Sequence, residues 1–152
     1  MAALPLQIVP FEPDHGREIQ LQRAQLGARQ QLDGAETLAA LEREESFTVI
    51  GADGAVLACA GLIDLGGWDG QRKFAWALLA ERPGGSVLLA ITRAISRHLQ
   101  ACPARRIETS VDCNFAAGIV WAARLGFACE GRMRGYGFDG ADHYLFARVR
   151  AG

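Results

Sequence analysis

Two stretches of the chain combine residue types and spacings that suit chemistry. The first is Arg82-Pro83-Gly84-Gly85-Ser86, set between an apolar run at residues 73–80 and a segment carrying Leu88, Ile91, Ile95 and Leu99 at helical spacing. A glycine turn entering a helix leaves unpaired backbone N–H groups at the positive end of the helix dipole, which suits a phosphate or pyrophosphate. Glycine matters because a Cβ would hold the ligand away from the backbone. Arg82 adds a charge-assisted hydrogen bond to the same oxygens. The same residues also serve as a plain tight connection. The second stretch, residues 114–131, starts on Asn114, carries Ala117, Val120, Trp121 and Leu125, and closes on Gly126-Phe127. Cys59, Cys102, Cys113 and Cys129 form no CxxC pair and read as buried free thiols of a cytosolic protein. His98 and Cys102 lie four residues apart on a helical segment, but two ligands do not make a metal site, so no metal is expected.

Positioning these residues takes a particular series of elements. Within residues 14–45, Ile19, Leu21 and Leu26 give helical spacing, Leu38 and Leu41 give a second stripe, and Asp33-Gly34 breaks them. Two helices are expected, the second ending near Glu45. Residues 46–51 and 55–65 flank Asp53-Gly54, a hairpin signal, and a glycine-rich turn at 66–70 leads into 73–80. Three antiparallel strands in a row follow. Ser86 is placed to cap the next helix and Pro103 to end it. Ile107, Thr109 and Val111 alternate with Glu108, Ser110 and Asp112 in a half-buried strand. Asn114 caps a further helix that Gly126 terminates, and residues 127–138 and 141–149 form a hairpin about Asp139-Gly140. The order is α-α-β-β-β-α-β-α-β-β, a mixed α/β sheet.

A chain of 152 residues fits one domain, residues 1–152, with a core large enough to need no disulfide or structural metal. Hydrophobic residues at 50% and charged residues at 22% exclude a disordered chain. A net charge of -1 gives no footprint for nucleic acid or an anionic membrane. No apolar run approaches the ~20 residues that span a bilayer. The opening MAALPLQIVPFEPD lacks a basic n-region, so no signal peptide is expected and the setting reads as cytoplasmic.

Residues 114–131 resemble motif B of the GNAT N-acetyltransferase superfamily, where an Asn precedes a helix with a small first-turn residue and a Leu-Gly-Phe end, here Leu125-Gly126-Phe127. Residues 130–136 (EGRMRGY), with Asp139-Gly140 and Tyr144, are similar to the final hairpin of its RimJ/RimL-like branch. The resemblance follows the element order over residues 8–149, is sharpest over 112–148, and allows an extra N-terminal strand. It implies a GNAT-like acyl-CoA N-acyltransferase fold. It further implies an N-acetyltransferase moving the acetyl group of acetyl-CoA to a primary amine, a protein N-terminus or a small amine, by direct attack. The coenzyme would lie between the fourth and fifth strands. Its pantetheine would pair with the backbone near Trp76, Ala77, Leu78 and Leu79, and its pyrophosphate with Arg82, Gly84, Gly85 and Ser86. Asn114 would contact the coenzyme side or fix the splay of the sheet. Direct attack needs a base for the ammonium, donors for the oxyanion and an acid for the leaving thiolate. Glu81 and Glu108 are the base candidates, with His143 a further one. Tyr136 and Tyr144 are the acid candidates. Trp68 and Trp76 are candidates to line the acceptor cleft.

The chain departs from the family pattern in three places, one being a spacing from Asn114 to Phe127 one residue longer than usual. The phosphate turn there reads Gln/Arg-x-x-Gly-x-Gly/Ala, whereas this chain puts branched Val87 at the last small position. Seven residues after Asn114, where the family often has a tyrosine acid, stands Trp121, whose indole N–H has no acid chemistry. These departures support an alternative: a catalytically degenerate GNAT-fold structural or interaction protein, phage-encoded, its coenzyme groove partly filled by Val87 and Trp121. A non-catalytic acyl-CoA sensor is a third reading. The apolar last strands would also suit a homodimer across a two-fold.

Overall fold

Apolar and alternating runs form seven strands: β1 (Gln7–Pro10), β2 (Ser46–Ile50), β3 (Val56–Asp64), β4 (Arg72–Leu79), β5 (Arg106–Asp112), β6 (Ala128–Met133) and β7 (His143–Val149). Helices α1 (Pro13–Glu18), α2 (Ala35–Leu41), α3 (Gly85–Ala101) and α4 (Ala116–Arg124) connect them, with a 3-10 helix at Arg23–Ala28. The computed structural model describes residues 5–28, 35–42, 45–66, 69–81 and 83–151. The strand order is β1-β2-β3-β4-β5-β7-β6. β4 and β5 pair parallel, while β1–β2, β2–β3, β5–β7 and β6–β7 pair antiparallel. The mixed α/β sheet expected from the sequence is present, and β1 is the extra N-terminal strand. Contacts divide the chain into two compact units, each built from two stretches. Unit 1 is Met1–Ile63 with Trp76–Arg93, and unit 2 is Asp64–Ala75 with Ala94–Gly152.

In unit 1 the Asp53 carboxylate accepts the Ala55 amide at 3.0 Å and Gly54 takes φ 83°, so Asp-Gly turns β2 into β3 as the sequence requires. Phe11, Ile19, Leu21, Leu38, Cys59 and Leu78 share one core cluster, with Leu41 and Trp76 packed against it. Burial pushes the Cys59 thiol up to about 12, against a smaller opposing hydrogen bond with Thr48, so it stays protonated and unreactive. The spacing of Ile19, Leu21 and Leu26 does not produce a helix. α1 stops at Glu18, Leu21 makes an isolated antiparallel bridge to Ala80, and Leu26 is 55% exposed. Leu21 is buried by a partner distant in sequence, and local periodicity carries no trace of that. α2 ends at Leu41 rather than near Glu45, and Asp33-Gly34 lies outside the described residues. Ser86 is not a cap either: α3 begins at Gly85, so Ser86 sits in its first turn.

In unit 2 Gly126 takes φ 89° and ends α4 as expected. Its amide donates to Ala123 O at 3.0 Å and the Phe127 amide to Ala122 O at 3.1 Å, which together make a Schellman closure. At the other end of α4 the N-cap position is Phe115, not Asn114. Asp112 organises this turn instead, its carboxylate accepting the Asn114 amide at 2.8 Å. β6 and β7 are joined by residues 134–142, longer than the two-residue turn expected at Asp139-Gly140. All four thiols are free, but Cys113 is half-buried and Cys129 exposed, where burial was expected. Apart from Met133, every residue of β6 is exposed. Glu130 on this strand is held by Arg106, and Arg132 by Asp142.

Candidate functional site

Within unit 1, the C-terminal half of β4 and the turn after it bring together Trp76, Ala77, Leu78, Leu79, Glu81, Gly84, Gly85 and Ser86. Alternate residues of a strand direct their backbone polar groups to opposite neighbours. The Ala80 amide donates to Leu57 O at 2.9 Å, so the even-numbered residues belong to the β3 ladder. Ala77, Leu79 and Glu81 therefore present theirs on the other edge. There the Gln25 side chain donates from Nε2 to Ala77 O at 2.7 Å and accepts the Leu79 amide on Oε1 at 2.8 Å. Backbone bonds follow further along: Gln22 N to Leu79 O at 2.9 Å, and Glu81 N to Gln20 O at 2.8 Å. Trp76 packs edge-on against Phe11 at 5.3 Å, and its indole nitrogen is buried without a partner among the described residues.

The turn itself leaves its backbone open. Gly84 takes φ 85°, and a Cβ built at Gly84 or Gly85 meets no atom within 4 Å. The first intrahelical bond runs from Leu88 N to Gly84 O at 2.9 Å, so the amides of Gly85, Ser86 and Val87 have no partner within α3. Gly84, Gly85 and Ser86 are exposed and Val87 is half-buried. A phosphate group fits these residues. Arg82, expected beside them, and Trp68, expected in an acceptor cleft, lie outside the described residues.

The remaining candidates belong to unit 2. Its parallel β4–β5 ladder covers Arg72, Lys73 and Phe74 against Arg106, Ile107 and Glu108. The next carbonyl of β4, Ala75 O, accepts from the Thr109 hydroxyl at 2.9 Å. Glu108 is bound by Arg106 Nε at 2.6 Å and Arg72 Nη2 at 3.3 Å. Burial raises its pKa, but the hydrogen bonds from the two arginines outweigh that and hold the carboxyl below its ordinary range. Such a carboxylate is a weak base. Arg106 also binds Glu130 through both terminal nitrogens, at 2.5 and 3.1 Å. Tyr144 is half-buried on β7, opposite Val111 of β5 and Arg132 of β6. Tyr136 is half exposed, its ring 5.3 Å from that of His143, whose Nδ1 is buried and unpartnered among the described residues. Asn114 is exposed and Trp121 half-buried.

Gln25 and Gln22 were not found from the sequence. Both fall in a glutamine-rich, helix-like run, and their partners on β4 lie more than fifty residues away, so no local signal marks them. Among the described residues no group of three His, Cys, Asp or Glu is placed to hold a metal ion, and no helix is long and apolar enough to cross a membrane.

No family model matches the chain, and no curated protein matches it. Solved structures do match. One is described as a phosphinothricin N-acetyltransferase by assignment (TM-score 0.75, 14% identity, 97% of this chain and 100% of that one). A second is yncA of Salmonella typhimurium, assigned as an acetyltransferase and solved with acetyl-CoA (0.68, 14%, 95% and 93%). A third is a GNAT-family acetyltransferase from Bacillus anthracis (0.66, 12%, 98% and 96%). At such identities the likeness is one of architecture, and the chain has the mixed α/β fold of the GNAT acetyltransferases.

Proposed function

We propose that the protein is an acetyl-CoA-dependent N-acetyltransferase that acts on a primary amine, a protein N-terminus or a small amine, by direct attack. The observation that carries this reading is the Gly84-Gly85 turn. It combines a left-handed glycine, open space over both residues and the first amides of a 17-residue helix, and it follows β4 directly. The pyrophosphate would be held by Gly84, Gly85 and Ser86, and the pantetheine arm by the edge of β4 at Ala77 and Leu79; Arg82, outside the described residues, enters on the sequence pattern alone. Likeness to a structure solved with acetyl-CoA supports the cosubstrate. When bound, acetyl-CoA supplies a thioester open to attack by an amine. Glu81, exposed at the end of β4, takes the ammonium proton in preference to Glu108, which its two arginines hold ionised. Tyr144 or Tyr136 protonates the departing thiolate. On the family resemblance, Asn114 would contact the coenzyme or fix the splay of the sheet, and Trp121 would be a coenzyme contact. The reading extends to the RimJ/RimL-like branch and a cytoplasmic setting.

A second reading, a phage-type member of the fold that no longer turns over, is favoured by one observation: the side chain of Gln25 already occupies the β4 edge that the pantetheine needs. Melting the protein with and without acetyl-CoA separates the two. At 100 times the dissociation constant, binding stabilises by ~2.7 kcal/mol, which for a domain of this size raises the midpoint by roughly 5–10 °C. That rise, absent with adenine alone, is the expected result. No rise at millimolar coenzyme would end the enzyme reading.

A further inference from the structure

The edge of β4 at Ala77 and Leu79 is not open backbone. One side-chain carboxamide donates to the carbonyl of Ala77 and accepts the amide of Leu79, at 2.7 and 2.8 Å. This is the two-point contact that one residue of a parallel strand makes with the residues on either side of its partner, here Leu78. A carboxamide can do this because it carries the same donor and acceptor as a peptide group. The position is therefore an amide-recognition site, filled by a residue of the chain itself. We propose that Gln25 is a displaceable stand-in for the secondary amide of a pantetheine arm, so that loading the coenzyme requires the Gln25 side chain to leave and the ligand amide to take its two bonds. The proposal rests on the acetyl-CoA reading above.

Three features make the exchange feasible. Leu79 is buried and Ala77 half-buried, so leaving the Leu79 amide unpaired there is costly, and the edge favours an amide partner with or without ligand. Trading one amide for another keeps the bond count. The backbone beneath Gln25 is anchored separately, by Gln22 N to Leu79 O and by buried Leu21 bridging Ala80. A change of side-chain rotamer is then enough, without refolding of the segment. Gln25 itself stands on a 3-10 helix, whose hydrogen-bond geometry is poor, beside exposed Leu26.

A site closed most of the time weakens apparent affinity by the fraction of time it is open. Removing the stand-in therefore tightens acetyl-CoA binding while it lowers the stability of the free protein. A merely structural clamp would lower both. The experiment is calorimetric titration of the full chain and of Gln25→Ala and Gln25→Met with acetyl-CoA and with adenosine bisphosphate, which carries phosphates but no amide. Gln25→Met keeps side-chain bulk without the hydrogen bonds. The expected result is acetyl-CoA binding tighter by ~10-fold in both variants, with adenosine bisphosphate unchanged. Binding by the variants alone would support the same conclusion. Acetyl-CoA binding that is equal or weaker in the variants, with the native chain still binding, overturns the stand-in and leaves the coenzyme reading intact. Failure of all three proteins to bind acetyl-CoA overturns both. Should the variants not fold, the side-chain amide resonances of Gln25 in the native protein decide: they shift with acetyl-CoA and not with adenosine bisphosphate, and the absence of that difference overturns the proposal.

Discussion

On the edge of β4, two backbone groups are satisfied by the neutral amide of a glutamine. On β5, Glu108 and Arg106 are satisfied by charge, through Arg72 on one side and Glu130 on the other. A neutral amide can be traded for another amide with little change in free energy. An ion pair that loses one partner leaves an uncompensated charge behind. Under the proposed exchange, the difference separates an edge that a ligand amide would take over from a place built to stay as it is. It also explains why Glu108, attractive by residue type, is a poor base, while Gln25, which residue type alone does not single out, is the residue on which the proposed exchange turns.

The largest expected effect comes from the core of unit 1. Leu38 is fully buried in the cluster that includes Leu78, and Leu38→Ala should cost about 2–5 kcal/mol in urea unfolding. If the two regions differ as described, amide exchange in that variant quickens at Leu79 more than at the β5–β7 ladder. Equal quickening at both would break the distinction.

A smaller loss is expected at the end of α4. Gly126 is left-handed, and a Cβ there would lie 3.1 Å from Arg148 Nε, so Gly126→Ala should cost ~1–2 kcal/mol. Amide exchange at Leu79 should match that of the native chain, and a large change there would break the comparison.

The mildest test is pH. Burial raises the pKa of Glu108, but Arg106 and Arg72 lower it further than burial raises it; Arg106 lowers Glu130, and the Gly135 amide and Arg132 lower Asp142. Each carboxyl thus has a folded pKa below its unfolded one, so the folded chain binds fewer protons. The stability they contribute is complete above the unfolded glutamate value of about 4.3. It is lost as pH falls below that value and through the folded ones. Urea midpoints taken from about pH 6 down to about pH 3 should decline, and Arg106→Met should flatten the decline. An equally steep fall in that variant would remove this ion-pair chain from the account.

Much of the frame was legible because its determinants are local. Asp53-Gly54 specifies its turn through one side-chain bond and one positive φ, and Gly126 closes α4 with bonds reaching no further than five residues. The glycine turn at Gly84 was legible for the same reason. Leu21 and Gln25 were not, since their partners Ala80, Ala77 and Leu79 are brought to them only by the completed sheet. Asn114 shows a third kind of miss: Asp112, two residues earlier, offers the same carbonyl-like oxygen and takes the organising role at that turn.

Strand β6 ends the sheet order, and its charges have a consequence for how the protein behaves in concentrated solution. A terminal strand invites edge-to-edge growth of sheets between molecules. Here Glu130 and Arg132 stand two residues apart on that rim, each already bonded inward, to Arg106 and Asp142. A second sheet closing on this rim would have to desolvate both ion pairs, so the residues that lock the frame also act as gatekeepers against aggregation.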